Sequence, residues 1–366
     1  MVDLSFIGIG RVGFQALKLF IKTNPGASIR VIDSDYSRKK IVETLGDSIE
    51  FYTASTPSEV VELVKGSYLI VTALPSSIAF KFIERLVGNG YNVVDVSYII
   101  EDPYSLDSTA RRYRVFYIPD AGFAPGFSNL VIGWCYNRLG SLDKALIYVG
   151  GIPVKPVEPI GYQITWNPVD LLEEYIRPAR IVRDGEVVAV DPLEEFVEVN
   201  ISGLGVFEGF YSDGLRTLLR NIDVREMAEI TLRYRGHLES IKVLRKLGFL
   251  DKKPIEYKGI SVKPIEFTAR VFEEKLKQTI PDMAILYIIV EKNRFYYKLL
   301  SLLVGKLGEP ATSRYTALVL AKTAELALRE EIEPGVHPLE DLHKYYQDYV
   351  DYLEGNDVRH SVETNI

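Results

Sequence analysis

The chain has 366 residues, which at about 150 per domain predicts two domains. Its 43 basic and 50 acidic side chains leave a net charge of −7, without the basic face of a nucleic-acid binder or the Lys/Arg clusters that hold a protein on anionic lipid. The 47% hydrophobic and 25% charged content is that of an ordinary globular protein and excludes collagenous, disulfide-rich, disordered and fibrous classes.

No run approaches the roughly 18 apolar residues that cross a bilayer. The best, Met283–Val290 and Leu299–Val304, are far shorter. The short N-terminal apolar stretch has no basic region before it, so no signal peptide is expected and the default location is the cytoplasm. The lone cysteine, Cys135, lies in an apolar helix-like run and reads as a buried small hydrophobe.

Over the first 120 residues, strand and helix signals alternate. Apolar runs fall at Asp3–Ile9, Ser28–Ile32, Glu50–Thr53, Ser67–Ala73, Tyr91–Val96 and Val115–Ile118. Between them lie helical spacings such as Val12, Phe14, Ala16, Leu17, Phe20 and Ile21. Such alternation predicts βαβ units and a parallel sheet of about six strands, a complete dinucleotide-binding domain.

After Gly122 the texture changes. A helix is expected over Phe127–Arg138, then strands over Lys144–Gly151, Phe196–Ile201, Val206–Tyr211, Arg225–Tyr234 and Met283–Glu291. Ala179–Val190 reads as a hairpin turning at Asp184-Gly185. Helices are expected over Pro168–Ile176, Gly214–Asn221, Gly236–Leu247 and Pro264–Lys277, and Asn293–Pro310 also reads as helix. This is an α+β domain. One sheet face should carry exposed Val197, Val199, Val206 and Ile230, which predicts a homodimer or a dimer of dimers. Thr312–Glu331 reads as a long amphipathic helix and Leu339–Leu353 as a polar tail helix, with the last dozen residues disordered.

Gly8-Ile9-Gly10-Arg11-Val12-Gly13 follows the first strand and opens the first helix. In that setting Gly8 permits the turn, Gly10 admits a pyrophosphate and Gly13 lets the helix pack on the sheet. Arg11 and Val12 lie in the helix turn that would receive the phosphates. Asp33 ends the second strand, 20 residues after Gly13. An acid there accepts from ribose hydroxyls and repels a 2′-phosphate, which argues for NAD, with NADP as the alternative through Ser34 and Arg38. The fourth strand ends at Thr72-Ala73-Leu74-Pro75, and Thr72, Ala73 and Pro75 are expected to line the nicotinamide side.

Three further stretches are distinctive: Asp95-Val-Ser-Tyr98; Asp120-Ala-Gly-Phe-Ala-Pro-Gly126; and Phe207 to Leu218 followed by Thr231-Leu-Arg-Tyr-Arg235-Gly236-His237. With Thr165-Trp166 and Asp170–Pro178, they resemble the saccharopine dehydrogenase-like superfamily of reductases, most closely its L-lysine 6-dehydrogenase branch, over roughly residues 1–330. The resemblance implies a Rossmann doubly wound parallel sheet with an α+β substrate domain inserted after the sixth strand, and a late helix returning to the first domain. The expected divisions are 1–121, 122–311, the returning helix 312–331 and a tail 332–366. The resemblance also implies oxidation of a C–N bond by a nicotinamide cofactor, with a small amine or amino acid such as L-lysine as substrate. It would place a strand where Asn293–Pro310 reads as helix.

Amine oxidation needs a base for the ammonium proton and groups that grip the ends of the substrate. His237, the one histidine outside the tail, is a candidate acid or base titrating near neutrality. Tyr98, at a strand end, is a candidate proton donor, and Asp120 a candidate for binding the substrate ammonium and taking its proton. Glu208 and Asp213 are candidates for holding an ammonium group, with Thr217 beside them. Arg235 and Arg216 are candidates for a carboxylate fork, each equally readable as a surface ion pair, and Trp166 for a pocket wall. No His/Cys cluster has zinc spacing, and GxSxG and GxxxxGK[ST] are absent. Two other readings stand beside amine dehydrogenation: an NADP-dependent reductase condensing an amine with an aldehyde, and a non-catalytic dinucleotide-binding redox sensor.

Overall fold

The alternating apolar runs of the N-terminal region form parallel strands because the central ones, buried on both faces, must be joined to their neighbours by covering helices. A computed structural model describes residues 2–46 and 49–366. In chain order come β1 (Val2–Ile7), α1 (Arg11–Thr23), β2 (Ile29–Asp33), α2 (Lys39–Glu43), β3 (Glu50–Thr53) and α3 (Pro57–Leu63). Then follow β4 (Ser67–Thr72), α4 (Ser76–Val87), β5 (Asn92–Asp95), α5 (Asp107–Tyr113), β6 (Phe116–Ile118) and α6 (Phe127–Leu139). Helix α3 starts where its sequence dictates: Thr56 accepts from the Glu59 N–H, the Glu59 carboxylate accepts from the Thr56 N–H, and Pro57 occupies the first turn. Ala16, Leu17 and Phe20 of α1 are buried, and one core under the sheet gathers Ile7, Ile32, Val60, Ile70, Ile83 and Val93.

The next stretch builds a second sheet from β7 (Leu142–Pro153), β8 (Ala179–Arg183), β9 (Glu186–Val190), β10 (Phe196–Ile201), β11 (Gly205–Ser212) and β12 (Val224–Arg233). Its helices are α7 (Pro168–Glu174), α8 (Leu218–Asn221), α9 (His237–Lys246) and α10 (Pro264–Lys275). A separate hairpin pairs β13 (Ile255–Tyr257) with β14 (Ile260–Val262), and β15 (Asp282–Lys292) precedes β16 (Phe295–Val304). The β8–β9 turn is as expected, with Asp184 and Gly185 both left-handed at φ 50° and 84°. Asn293–Pro310 is not a helix. Phe295–Val304 pairs residue for residue with β15, and alternate residues Tyr297, Leu299, Ser301 and Leu303 are buried, a period of two that the run of large residues concealed. The expected helix over Gly214–Asn221 shrinks to Leu218–Asn221.

Last come α11 (Ala311–Arg329), β17 (Gly335–Val336), a 3₁₀ turn at Leu339–Tyr345, α12 (Tyr346–Glu354) and β18 (Arg359–Thr364). The final residues are therefore not disordered: β18 adds antiparallel to the edge of β16. The chain forms two compact units, residues 1–134 with 313–356, and residues 135–312 with 357–366. The chain leaves the first unit inside α6 rather than at residue 121, and the tail expected as one segment is shared between the units. In the first unit the seven-stranded parallel sheet runs β17-β6-β5-β4-β1-β2-β3. The tail supplies its edge strand β17, held by Val336 N–H donating to the Asp107 carboxylate at 3.0 Å. Alongside, Thr323 of α11 bonds the buried Tyr349 hydroxyl at 2.7 Å.

The second unit's nine-stranded sheet runs β10-β11-β12-β7-β15-β16-β18, with β8 and β9 branching from β12. Of the four residues expected on an open apolar face, Val199 and Ile230 belong to the core at 8% and 2% exposed, while Val206 is 38% exposed and Val197 partly buried. Partly buried apolar residues also line the register row Tyr287–Leu300 and the row Leu146–Ile289. Cys135 is buried, and burial pushes its thiol up. Among the described residues no helix is long and apolar enough to cross a membrane.

The β18–β16 pairing predicts slow amide exchange at alternate residues of Arg359–Thr364. Hydrogen-exchange mass spectrometry showing random-coil exchange over this segment would contradict the assignment.

Candidate functional site

The glycine loop between β1 and α1 is built by close approach. A Cβ on Gly13 would lie 2.0 Å from the Gly8 carbonyl oxygen, so any larger residue would push the helix off the loop. Gly8 has φ +84° and backs onto the Ala73 carbonyl, which places Ala73 beside the loop. A Cβ on Gly10, by contrast, would meet nothing within 4 Å. Gly10 is also the N-cap of α1 and provides no side-chain cap to its first turn, where Arg11 and Val12 sit. An open approach to a helix start without a side-chain cap is what a pyrophosphate requires. The Asp33 carboxylate closes the edge of this loop, accepting from the Ile9 N–H at 2.8 Å and the Asp35 N–H at 2.8 Å. Arg38 sits against Asp35 at 3.6 Å, both half-exposed. These residues fit a dinucleotide.

At the carboxyl ends of β4 and β5 the side chains converge on a carboxylate, Asp95, which opens one of the distinctive stretches but is given no role from the sequence. Asp95 is fully buried. Its Oδ1 accepts from Thr72 Oγ1 at 2.5 Å and from Ser97 Oγ at 2.8 Å, and its Oδ2 accepts from the Ser97 N–H at 3.0 Å. Thr72, expected beside the nicotinamide, is thus turned inward because a buried carboxylate must be solvated by the protein. Pro75 is exposed and caps α4. Tyr98, half-buried, follows this cluster directly. Asp120 is 4% exposed and left-handed at φ 53°, a costly conformation for a residue with a Cβ. The loop after it is held by Phe127 N–H donating to the Gly122 carbonyl at 2.8 Å, and a Cβ on Gly126 would strike that carbonyl at 2.0 Å.

The second unit buries a polar chain of its own. Arg233, 2% exposed at the end of β12, donates from Nε to the Tyr175 hydroxyl at 2.9 Å. That hydroxyl lies 2.8 Å from His237 Nε2, and His237 Nδ1 lies 2.9 Å from the Ile160 carbonyl oxygen. A carbonyl only accepts, so Nδ1 carries the proton and Nε2 accepts from Tyr175. The Arg233 guanidinium stacks over Tyr162, 4.8 Å from the ring centroid, and reaches Glu174 at 3.3 Å. Trp166 donates to the Tyr162 hydroxyl at 3.1 Å. His237 is 1% exposed, and burial, with the Arg233 charge beside it, lowers its pKa to about 3. It is therefore neutral at physiological pH, not titrating near neutrality as expected from the sequence.

Other candidates in this unit are engaged by protein groups. Glu208 accepts from the Gly236 and Leu238 N–H groups and so caps α9. Asp213 is gripped bidentately by Arg180 at 2.8 and 2.9 Å. Arg235 pairs with Glu198, both exposed. Thr217 and Arg216 are buried in the turn before α8, Arg216 with φ 54°. A further buried carboxylate, Glu229, is held by Ser212 at 2.9 Å, and burial raises its pKa to about 8. Arg233, Tyr175 and Glu174 lie inside the distinctive stretches quoted above, but nothing in the spacing separates a buried arginine from a surface one.

The sign of the histidine effect follows from its lowered pKa. Below pH 6.5 the unfolded chain binds a proton that folded His237 refuses until about pH 3, so stability falls across that window on acidification. His237→Ala is expected to flatten this acid limb. At pH 7 it should also cost about 1–3 kcal/mol by leaving the Tyr175 O–H without its acceptor and the Ile160 carbonyl without the His237 donor. Urea unfolding between pH 4 and pH 8 checks both, and an unchanged limb would remove His237 from the buried chain.

Residues 122–358 match the family model for the saccharopine dehydrogenase C-terminal domain. The mitochondrial alpha-aminoadipic semialdehyde synthase of Bos taurus is 22% identical over 274 residues, covering 67% of this chain and 28% of that protein. The NADP(+), L-glutamate-forming saccharopine dehydrogenase of Pyricularia oryzae is 24% identical over 196 residues, covering 50% of this chain and 43% of that one. The chain therefore spans less than half the length of these two relatives. Among solved structures, the apo saccharopine dehydrogenase (L-Glu forming) of Saccharomyces cerevisiae superposes with a TM-score of 0.81 at 16% identity, covering 100% of both chains. Because the family model covers residues 122–358, more than half of the chain, the chain belongs to the saccharopine dehydrogenase family.

Proposed function

We propose that this protein is a nicotinamide-dinucleotide-dependent oxidoreductase of the saccharopine dehydrogenase type, acting on the C–N bond of an amino-acid amine. The observation that carries the reading is the glycine loop, closed around the Gly8–Gly13 contact and left open at Gly10. The family match of the remaining chain supports it. Bound at this loop, the dinucleotide supplies the acceptor or donor of hydride. Asp120, rigid in its strained turn, would hold the substrate nitrogen and take its proton, and Tyr98 would orient the substrate. His237 is assigned a supporting role by its burial. The substrate class is a secondary amine joining two amino acids, as the relatives' names suggest, with free L-lysine as the alternative.

NAD is proposed over NADP because Asp33 puts a carboxylate at the edge of the loop, where a 2′-phosphate would meet like charge. Calorimetry should find tighter binding of NAD, and Asp33→Ala should weaken it and narrow the preference; tighter NADP binding by the parent would overturn the assignment. Asp120→Asn should lower turnover on the order of 10²–10⁴-fold with dinucleotide affinity nearly unchanged. An unchanged rate would remove Asp120 from the chemistry. A homodimer through the second unit is also proposed, its surface now the partly buried rows around Tyr287 and Ile289 rather than Val199 and Ile230. A monomer mass by light scattering at micromolar concentration would contradict it.

A further inference from the structure

Asp95 has more bonding than a buried acid needs merely to be tolerated. Two hydroxyls and one backbone N–H converge on it, and each comes from a chain segment next to a candidate functional residue. Ser97 Oγ, while donating to Asp95, also accepts from the Leu74 N–H at 3.2 Å. A continuous relay therefore runs from Leu74, between Ala73 and Pro75, through Ser97, next to Tyr98, to the carboxylate and on to Thr72. The backbone carbonyl of Asp95 accepts from the Ala121 N–H at 2.8 Å, which ties in the residue after Asp120. Three strand-end segments are thus fixed to one residue.

We propose that Asp95 is a positioning residue whose carboxylate latches the Ala73–Pro75 and Ser97–Tyr98 segments together beside the glycine loop, and that the latch is set in its ionised form. The proposal rests on the dinucleotide-dependent reading given above. With the carboxylate ionised, all three donors have an acceptor. Once Oδ1 carries a proton, either the Thr72 or the Ser97 hydroxyl must reverse its bond, and a proton on Oδ2 instead meets the Ser97 N–H, which cannot reverse. The charged group bearing on Asp95 is Asp120. Thr72 from β4 and Ser97 from the segment after β5 face it as neutral donors. Burial raises its pKa to about 7, opposed by these hydrogen bonds and reinforced by the Asp120 charge. The latch therefore tightens as pH rises through neutrality. Folding stability moves the other way, because between its ordinary value of 3.8 and about 7 the folded chain holds a proton that the unfolded chain has released.

Asp95→Asn, Ser97→Ala and Asp120→Asn, compared with the parent, test this by three readouts. Infrared titration of the parent should show a buried carboxyl losing its proton near pH 7. The signal should vanish in Asp95→Asn and move to lower pH in Asp120→Asn. Amide exchange at Leu74 and Ser97 should be slow in the parent above pH 7, and at least tenfold faster in Asp95→Asn and, for Leu74, in Ser97→Ala. Turnover by the parent should fall on acidification through pH 7, whereas Asp95→Asn should be flat with pH and lower, on the order of 10²-fold. Unchanged exchange at Leu74 and Ser97 in Asp95→Asn, or a pH profile identical to the parent's, would overturn the proposal. So would unchanged Leu74 exchange in Ser97→Ala, should Asp95→Asn not fold. A parent that binds neither NAD nor NADP would sink the functional reading instead, a result told apart from these because infrared and exchange need no cofactor.

Discussion

A helix that starts at a phosphate-binding loop must come within contact distance of the strand that precedes it. Here that constraint is met by the 2.0 Å gap a Gly13 side chain would have to the Gly8 carbonyl, a gap that only glycine can satisfy. The direction of α1 follows from it, as does the placement of Ala73 beside the loop and the open approach at Gly10. The neighbouring strands then deliver Asp33, Tyr98 and Asp120 at the carboxyl edge of the sheet, where parallel sheets carry their ligands.

Both units solve the same physical problem, that of burying polar groups at the ends of strands. In the first unit the group is a carboxylate, Asp95, solvated by three donors. In the second it is a guanidinium, Arg233, bonded to Tyr175 and Glu174 and covered by the Tyr162 ring. A buried charge with its partners in place is tolerable, while one deprived of a partner is costly. Each network therefore fixes the segments that contribute to it. His237 belongs to the second network as a neutral acceptor, which explains how a histidine at a helix start can be fully buried.

Much of the first unit is legible in the sequence, because apolar runs bounded by glycine and capping residues report strands and helix starts directly. Glu50–Thr53 and the Asp184-Gly185 turn fall where the pattern puts them. Legibility fails where local pattern and tertiary pairing diverge. Phe295–Val304 carries large apolar residues on both faces and so hides a strand's period of two. The two-residue strand Gly335–Val336 and the exposed strand Arg359–Thr364 exist only because a sheet edge was available to pair with them. For the site, the glycine motif is readable, since each glycine has a steric task. Glu208, Asp213 and Arg235 are not, since an acid or a base in or beside a strand looks the same in sequence whether it awaits a substrate or already holds the Gly236 amide, Arg180 or Glu198.

The activity proposed for this protein is hydride transfer between a dinucleotide and an amino-acid C–N bond. The most direct measurement is the appearance of reduced-nicotinamide absorbance when the protein is mixed with NAD or NADP and a panel containing saccharopine, L-lysine and other amines. Reduction dependent on an amino-acid amine, and lost in Asp120→Asn, is the expected result. Tight dinucleotide binding with no reduction on any member of the panel, and no oxidation of the reduced cofactor with amine–aldehyde pairs, would contradict it and leave a binding protein in its place.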